Sequence, residues 1–185
     1  MPRSDGVLKW DELNIIRRDA EMFFSPKVTR TKEELERFCD YLEFVLCLIY
    51  AYGWQDAEEI VGIVPFRDGL DDKTVNLEID GKTFRDRITE DSTVEEVLRI
   101  IDTEAHRDYN TGVYDAAEES GKPVRKRWYT MMDDRVRDTH QYLEGMEVGL
   151  NDLFYTDDGD AAMFPGGFEL PQNNVNCRCI VTLIA

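Results

Sequence analysis

The chain has 185 residues, of which 42% are hydrophobic, and its formal net charge is −17 at pH 7. This length is typical of about one compact domain, and the apolar fraction is sufficient for a hydrophobic core. The acidic balance argues against broad electrostatic binding to nucleic-acid phosphates, which requires many lysine and arginine side chains.

Apolar runs, the N-terminal sequence and the cysteines argue against a membrane-spanning, a secreted or a disulfide-rich protein. No apolar run approaches the roughly 18 residues that a membrane-spanning helix requires, and the N-terminus lacks a basic-then-apolar signal pattern. The four cysteines are too few and too unevenly spaced for a disulfide scaffold. We therefore expect a soluble protein with free thiols in a reducing compartment.

Helices are predicted for the first third of the chain. A short amphipathic helix is predicted for residues 10–24, which carry apolar side chains at helical spacing. Ser25 and Pro26 are predicted to end this helix. A stronger helix is predicted for about residues 32–52, with Thr31 and Glu34 as a capping box. A third, short helix over about residues 56–64 ends before Pro65. Together they predict a helical N-terminal segment, residues 1–70.

A hairpin is predicted where residues 71–185 begin. Val75, Leu77 and Ile79 alternate with polar residues, as in a half-buried strand. Asp80 and Gly81 are typical of a two-residue turn, and residues 83–85 are predicted to return as the second strand.

A long helix and a small sheet are predicted for the remainder. Ser92 and Glu95 form a second predicted capping box, for a helix over about residues 93–119 that ends at Gly121. A strand over 124–130, a helix over 133–143 and a closing strand over 177–184 follow. The predicted fold is α+β, with N-terminal helices followed by a long helix and a small, mainly antiparallel β-sheet.

Polar, aromatic and glycine residues recur at fixed offsets over about residues 81–181. They are Thr103, Glu104, Arg107, Asn110, Gly112, Lys126, Trp128, Thr130, Asp134, Val136, Arg137, His140, Leu143, Gly145, Phe154, Pro165, Gly166, Asn176, Cys177, Arg178 and Cys179. This pattern resembles the Mu F-like head morphogenesis family of tailed phages. Residues 71–185 are accordingly predicted to form a Mu F-like domain.

The resemblance implies a structural protein and not an enzyme. It implies a minor head component of a phage or prophage, with a role in head morphogenesis and in DNA packaging or ejection. The implied partners are the portal protein, the major capsid protein or both, in a multi-copy assembly without a membrane. The implied location is the head interior or portal vertex of a virion assembled in the host cytoplasm.

The motif residues on the predicted helices favour structural roles. Glu104, Arg107 and Asn110 recur at intervals of three, so they predict a polar stripe between helix and sheet. His140 shares a stripe with apolar neighbours, which favours a buried structural histidine over a general base. Asp133 and Arg137 form a predicted i,i+4 ion pair on the same helix.

Cys177, Cys179 and His140 are candidate metal ligands. The resemblance implies a metal site, but Arg137 and His140 stand where relatives have paired cysteines, and Asn174 stands in place of a histidine. Three ligands fall short of the four usual for structural zinc. Residues i and i+2 of a strand lie about 6.6 Å apart, whereas zinc-bound sulfurs lie about 3.8 Å apart, unless the strand end is kinked. The sequence therefore favours buried cysteines without a cofactor, with zinc as the alternative.

A basic cluster flanks Trp128 in this acidic chain. Its members are Lys122, Arg125, Lys126 and Arg127. Arg125, Lys126 and Arg127 are candidates for contact with a portal subunit or with DNA. The alternative interpretation is the solvated edge of a strand.

Two enzyme classes are kept as alternatives. One is an effector that transfers ADP-ribosyl or nucleotidyl groups, although the chain has no glycine-rich phosphate loop and no cysteine–histidine pair at a recognisable catalytic spacing. The other is a metal-dependent nuclease with Asp157, Asp158 and Asp160 around Gly159. Such an aspartate-rich loop is more often a turn.

Overall fold

The computed structural model describes residues 11–66, 78 and 81–185. Its helices are α1 Asp11–Phe23, α2 Lys32–Val61, α3 Phe84–Arg87, α4 Val94–Ser120, α5 Asp138–Gln141 and α6 Pro171–Asn174. Its strands are β1 Arg125–Tyr129, β2 Glu147–Gly149, β3 Phe154–Tyr155, β4 Ala161–Ala162 and β5 Ile180–Ile184. This composition confirms the predicted α+β class. Within the described ranges, none of the helices has the length and apolarity needed to cross a bilayer.

The long helices α2 and α4 cross in contact and form the centre of the molecule. Tyr50 donates a hydrogen bond to Asp115 at 2.8 Å, and Tyr109 donates one to Asp56 at 2.6 Å. Because the later residue of α2 contacts the earlier residue of α4, the two helices run antiparallel. A Cβ atom added at Gly112 would lie 2.1 Å from the Tyr50 carbonyl oxygen. The helices therefore approach to backbone contact.

One helix replaces the two predicted for residues 32–52 and 56–64. The capping box of Thr31 and Glu34 is confirmed at its start. The helix continues without a break because Trp54, Ala57 and Val61 extend the buried stripe of α2. The separate third helix is therefore wrong, and its predicted stop at Pro65 is replaced by an end at Val61.

The helix α4 is capped one residue later than predicted. Thr93 and Glu96 form its capping box, whereas the Ser92 hydroxyl accepts a hydrogen bond from the Thr89 amide at 2.9 Å. Gly121 ends the helix in the left-handed conformation, with φ +61°. The predicted box of Ser92 and Glu95 is wrong because the Ser92 side chain is engaged in the preceding turn.

The predicted hairpin is not formed as proposed. Residues 83–85 do not return as a strand, because Thr83 caps α3 and forms a capping box with Asp86. The first strand of that hairpin, around Val75 and Leu77, lies outside the described residues.

Three antiparallel strands form the main sheet, in the order β2, β1, β5. Trp128 of β1 pairs with Val181 of β5, and Arg127 pairs with Glu147 of β2. The strands β3 and β4 form a separate antiparallel pair. One hydrophobic core extends from Leu13 in α1 to Leu183 in β5. This core includes residues from both sides of the predicted division near residue 70. The division into two parts stays a prediction.

Two elements near the C-terminus are shorter than predicted. The helix expected over residues 133–143 is reduced to α5, because Arg137 has extended backbone angles and Asp133 binds Arg178. The closing strand begins at Ile180 and not at Cys177. Asn176, with φ +59°, turns the chain just before it.

Candidate functional site

Charged side chains are buried on the face of α4 that carries the predicted polar stripe. Glu104, Arg107 and Asp108 are 0–3% exposed. The Arg107 guanidinium forms ion pairs with both carboxylates, and Arg87 reaches Glu104 from outside the helix. Burial raises the pKa of Asp108 to about 7, although Arg107 lies beside it. Through Arg87, the last residue of α3, the cluster connects α3 to α4.

Asn110 connects α4 to the sheet and to the Pro165 turn. Its amide nitrogen donates to the carbonyl oxygens of Pro165 and Cys179, both at 3.1 Å. Its amide oxygen accepts from the Val181 amide at 2.8 Å. Asn110 therefore satisfies backbone groups of the Pro165 turn and of the outer edge of β5.

The Pro165 turn lies directly on α4. Gly166 has φ +91°, and a Cβ atom there would lie 3.0 Å from the Cβ atom of Arg107. Glycine is therefore required at this position for two reasons, which are its left-handed backbone angle and the close approach to Arg107.

His140, Cys177 and Cys179 lie together inside the domain. His140 is 1% exposed, and its Nδ1 atom lies 3.7 Å from the Cys177 Sγ and 3.6 Å from the Cys179 Sγ. One donor atom from each of the three residues lies within 4.8 Å of the other two. The imidazole also packs edge-on against Trp128, with ring centroids 5.5 Å apart. The structure thus brings all three candidate metal ligands together.

Cys177 and Cys179 both lie before β5, so the separation of about 6.6 Å between residues i and i+2 of a strand does not apply to them. Cys177 precedes β5, in the turn that follows Asn176, and its amide donates to the Asn174 carbonyl oxygen at 2.9 Å. The pKa of the Cys177 thiol is lowered by a hydrogen bond from Cys179 and by His140. The pKa of the Cys179 thiol is raised by the same hydrogen bond and by burial. Cys177 is therefore the more acidic of the two thiols.

Polar side chains hold the segments around this cluster. Arg178 donates two hydrogen bonds to Asp133, at 2.8 and 2.6 Å. Arg137 donates to the carbonyl oxygens of Gln172 and Val175. The Asn174 amide group bonds the backbone nitrogen and oxygen of Phe168. The predicted pair of Asp133 and Arg137 is wrong, because each binds a partner outside the segment.

Two further motif residues, Asp134 and Gly145, lie outside these hydrogen-bonded side-chain groups. Asp134 is exposed, and its neighbour Asp133 provides the carboxylate that binds Arg178. Gly145 has φ +73°, and its amide donates to the Trp128 carbonyl oxygen at 2.9 Å. The Trp128 side chain is fully buried and contacts Phe154 edge-on. Trp128 thus packs in the core, and Gly145 bonds to its backbone.

The basic cluster is divided by the pleat of β1. Lys126 is fully buried, with its ammonium group 5.1 Å from the Tyr114 ring centroid and 5.4 Å from that of Phe154. Burial lowers its pKa to about 8. Arg125 and Arg127 lie on the other side and both form ion pairs with Glu147. Lys126 is therefore excluded from the predicted contact surface, whereas contact by Arg125 and Arg127 stays a prediction.

The aspartate-rich loop is a turn held by its own carboxylates. Asp160 is buried and accepts hydrogen bonds from the backbone of Ala161, Glu169 and Leu170. Asp158 accepts from Thr156 at 2.5 Å, and Asn173 donates to both aspartates. Asp157 is exposed.

Sequence reasoning missed the contributions of Asp108, Asp133 and Asn173. Asp108 lies four residues after Glu104, so helical spacing alone could have added it to the polar stripe. Asp133 and Asn173 bind residues 45 and 15 positions away, for which no local signal exists.

Comparisons with known proteins match this part of the chain. The family described as phage Mu protein F like protein matches residues 76–182, more than half of the chain. The chain is 36% identical over 92 residues to the NAD(+)–arginine ADP-ribosyltransferase EFV of Enterococcus faecalis, covering 48% of the chain and 19% of that protein. It is 30% identical over 84 residues to the minor head protein GP7 of Bacillus phage SPP1, covering 44% of the chain and 27% of that protein.

The aligned segments thus span about a fifth and about a quarter of these two relatives. No solved structure matches the chain at a significant level. The family match includes the polar face of α4, most of the main sheet and the His140 cluster described above. The chain belongs to the phage Mu protein F like protein family.

Proposed function

We propose that this chain is a minor head protein of a tailed phage or prophage and acts by assembly. The observation that carries this proposal is the family match over residues 76–182, together with the 30% identity to a phage minor head protein. The proposed location is the head interior or portal vertex of a virion assembled in the host cytoplasm. The proposed partners are the portal protein, the major capsid protein or both.

The placement of the motif residues supports a structural role. Glu104, Arg107 and Asn110 are buried and bond to other parts of the same domain. Arg137 and Arg178 likewise use their guanidinium groups on the chain's own carbonyl and carboxylate oxygens. Side chains engaged in this way define the shape of the domain, and shape is what an assembly component presents to its partners.

The charge distribution disfavours DNA contact over most of the surface and leaves only a small basic site for it. A net charge of −17 repels a phosphate backbone over most of the surface. Arg125 and Arg127 form a small basic site on β1, and both are partly neutralised by Glu147. We propose that a protein partner, and not packaged DNA, is the main contact of this strand.

The test is to purify particles from the phage or induced prophage that encodes the chain. DNA-filled heads are separated on a density gradient, and peptides of this chain are quantified against the major capsid protein by mass spectrometry. We expect the chain to sediment with heads in far fewer copies than the capsid protein. Recovery only in the particle-free lysate would contradict the proposal.

A second candidate function is favoured by one observation, the 36% identity to an ADP-ribosyltransferase over 92 residues. The aligned segment spans 19% of that relative's length. Incubation of the purified chain with NAD⁺ and free arginine tests this candidate by mass spectrometry of the arginine. The assembly proposal predicts no ADP-ribosyl-arginine above a protein-free control, and its formation would favour the enzyme.

A further inference from the structure

A groove lies between the end of α2, the middle of α4 and β5, and it has a volume of about 150 Å³. Ile60 from α2, Val113 from α4 and Leu183 from β5 contribute apolar groups to its walls. A cavity of this volume accommodates a flat group of the size of a benzene ring. The groove therefore has room for one side chain of another molecule.

The side chains that line this groove carry negative charge. Asp56 and Glu59 line it from α2, and no lysine, arginine or histidine is found among its described lining residues. The Tyr109 hydroxyl donates to Asp56 at 2.6 Å and so orients that carboxylate. Burial, together with the charges of Asp56 and Glu59, raises the pKa of Tyr109. The electrostatic potential in the groove therefore favours a cationic occupant.

The outer edge of β5 adds a carbonyl acceptor on the groove side. The Trp128 amide donates to the Met146 carbonyl oxygen, and the Trp128 carbonyl oxygen accepts from Gly145, so both groups face β2. Val181 pairs with Trp128 and therefore directs its own amide and carbonyl groups away from β1. The Val181 amide binds Asn110 on α4, and its carbonyl oxygen lies on the same side of β5 as the groove.

We propose that this groove binds an arginine side chain of a protein partner. The inference rests on the proposed function only in taking that partner to be a component of the phage head. A guanidinium group donates five hydrogen bonds in one plane and accepts none. The carboxylates of Asp56 and Glu59 and the carbonyl oxygen of Val181 are matching acceptors. A basic partner segment also complements the net charge of −17 on this chain.

The shape of the groove favours arginine over lysine. A flat guanidinium group suits a cavity of this volume, and the methylene groups of an arginine pack on Ile60 and Val113. A lysine ammonium group is a more strongly hydrated point charge, so it loses more on entering an apolar groove. The chain's own Arg127 donates to the Tyr129 hydroxyl at 2.9 Å and pairs with Glu147, which holds its guanidinium outside the groove.

The first test titrates the ¹⁵N-labelled wild-type chain with N-acetyl-arginine amide and follows its backbone amide signals by NMR. We expect saturable shifts at Ile60, Val113 and Leu183. The matched probe is N-acetyl-citrulline amide, which has the same shape without the charge. Loss of charge-assisted hydrogen bonds should weaken its binding about tenfold. N-acetyl-lysine amide should also bind more weakly than the arginine probe.

Three outcomes of this titration would overturn the proposal without any variant. One is the absence of saturable shifts at the groove. Another is equal binding of the citrulline or lysine probe, which would show a site for neutral groups or for cations in general. The third is a shift of the same signals on dilution of the chain alone, which would show that a second copy occupies the groove.

Variants then locate the bound arginine. Asp56→Asn combined with Glu59→Gln is expected to abolish the shifts, and the new asparagine keeps an oxygen that can accept from Tyr109. Glu33→Gln combined with Asp157→Asn is the matched control, because it removes the same charge at two exposed positions outside the groove. Unchanged binding by the folded groove variant, or lost binding by the control, would contradict the proposal. Failure here leaves the head-purification test of the proposed function unaffected, because only the isolated chain is used.

Discussion

Burial changes what individual charged residues do in this protein. Lys126 and Arg127 are neighbours in a basic stretch, yet one ammonium group lies among aromatic rings while the guanidinium beside it pairs with Glu147. The signal was present in the sequence, because Lys126 lies two residues from Trp128 and residues two apart in a strand share a face. A run of basic residues in a strand therefore contributes to a basic surface only through the residues on its solvent-facing side.

At the residue scale, we predict that Asp133→Asn lowers the Tm at neutral pH. Hydrogen bonds from Arg178 lower the pKa of Asp133 in the folded state. A carboxyl group with a lowered folded pKa stabilises the fold above its unfolded pKa, and this contribution is lost as the pH falls. The Tm difference between wild type and variant should therefore shrink progressively below about pH 4.

Asp134→Asn is the matched control for this prediction. Asp134 is the adjacent residue and is exposed, so the same chemical change should leave the Tm nearly unchanged across the pH series. Thermal melts of the three proteins from pH 3 to 7 make the comparison. A constant difference between wild type and Asp133→Asn at every pH would contradict the ionic origin of the effect.

At the element scale, glycines set the distance between α2 and α4. Gly53 lies against the Tyr109 carbonyl oxygen, and Gly112 lies against that of Tyr50, each so close that a Cβ atom would be 2.1 Å away. A glycine inside a helix costs about 1 kcal/mol relative to alanine. Here the glycines permit the hydrogen bond between Tyr50 and Asp115 across the crossing.

We predict that Gly112→Ala destabilises the protein in spite of its better helix propensity. The added methyl group must displace the Tyr50 backbone, and overpacking of this kind costs about 1–3 kcal/mol. Urea unfolding followed by circular dichroism measures the change in the free energy of unfolding. Glu118→Ala, at an exposed position of the same helix, is the control and should change this free energy little. A stabilised Gly112→Ala variant would contradict the close crossing.

Element boundaries were predictable where the cause is local. The start of α2 follows from the capping box of Thr31 and Glu34, and the end of α4 follows from Gly121. The helix predicted for residues 133–143 failed because Asp133 and Arg137 bind residues more than 30 positions away. Helical periodicity cannot report such competing bonds.

At the scale of the whole molecule, the acidic surface leaves the basic side of β1 as a distinct feature. Arg125 and Arg127 lie on that side, with side chains 57% and 36% exposed. Because Lys126 is buried on the opposite side, a charge change there would disturb the core and could not report on surface contact.

We predict that Arg125→Gln combined with Arg127→Gln reduces incorporation of the chain into phage heads. Loss of exposed ion pairs with Glu147 should cost about 0–1 kcal/mol each, so the variant should remain folded. Peptide quantification in purified heads and a thermal melt of the isolated protein measure the two effects. Arg18→Gln combined with Arg99→Gln removes the same charge elsewhere and should incorporate normally. Equal incorporation of both double variants would contradict a contact at β1.

The α+β class, the major helices, the strands β1 and β5 and the family motif can all be read from the amino-acid sequence, because helical and strand periodicity, caps and residue spacing are local properties. The continuity of α2, the burial of Lys126 and the partners of Asp133 and Arg137 depend on tertiary packing. So does the meeting of His140 with Cys177 and Cys179, since a turn at Asn176 and the docking of α5 on the sheet bring their donor atoms together. These features arise from contacts between residues far apart in the chain, which no local pattern encodes.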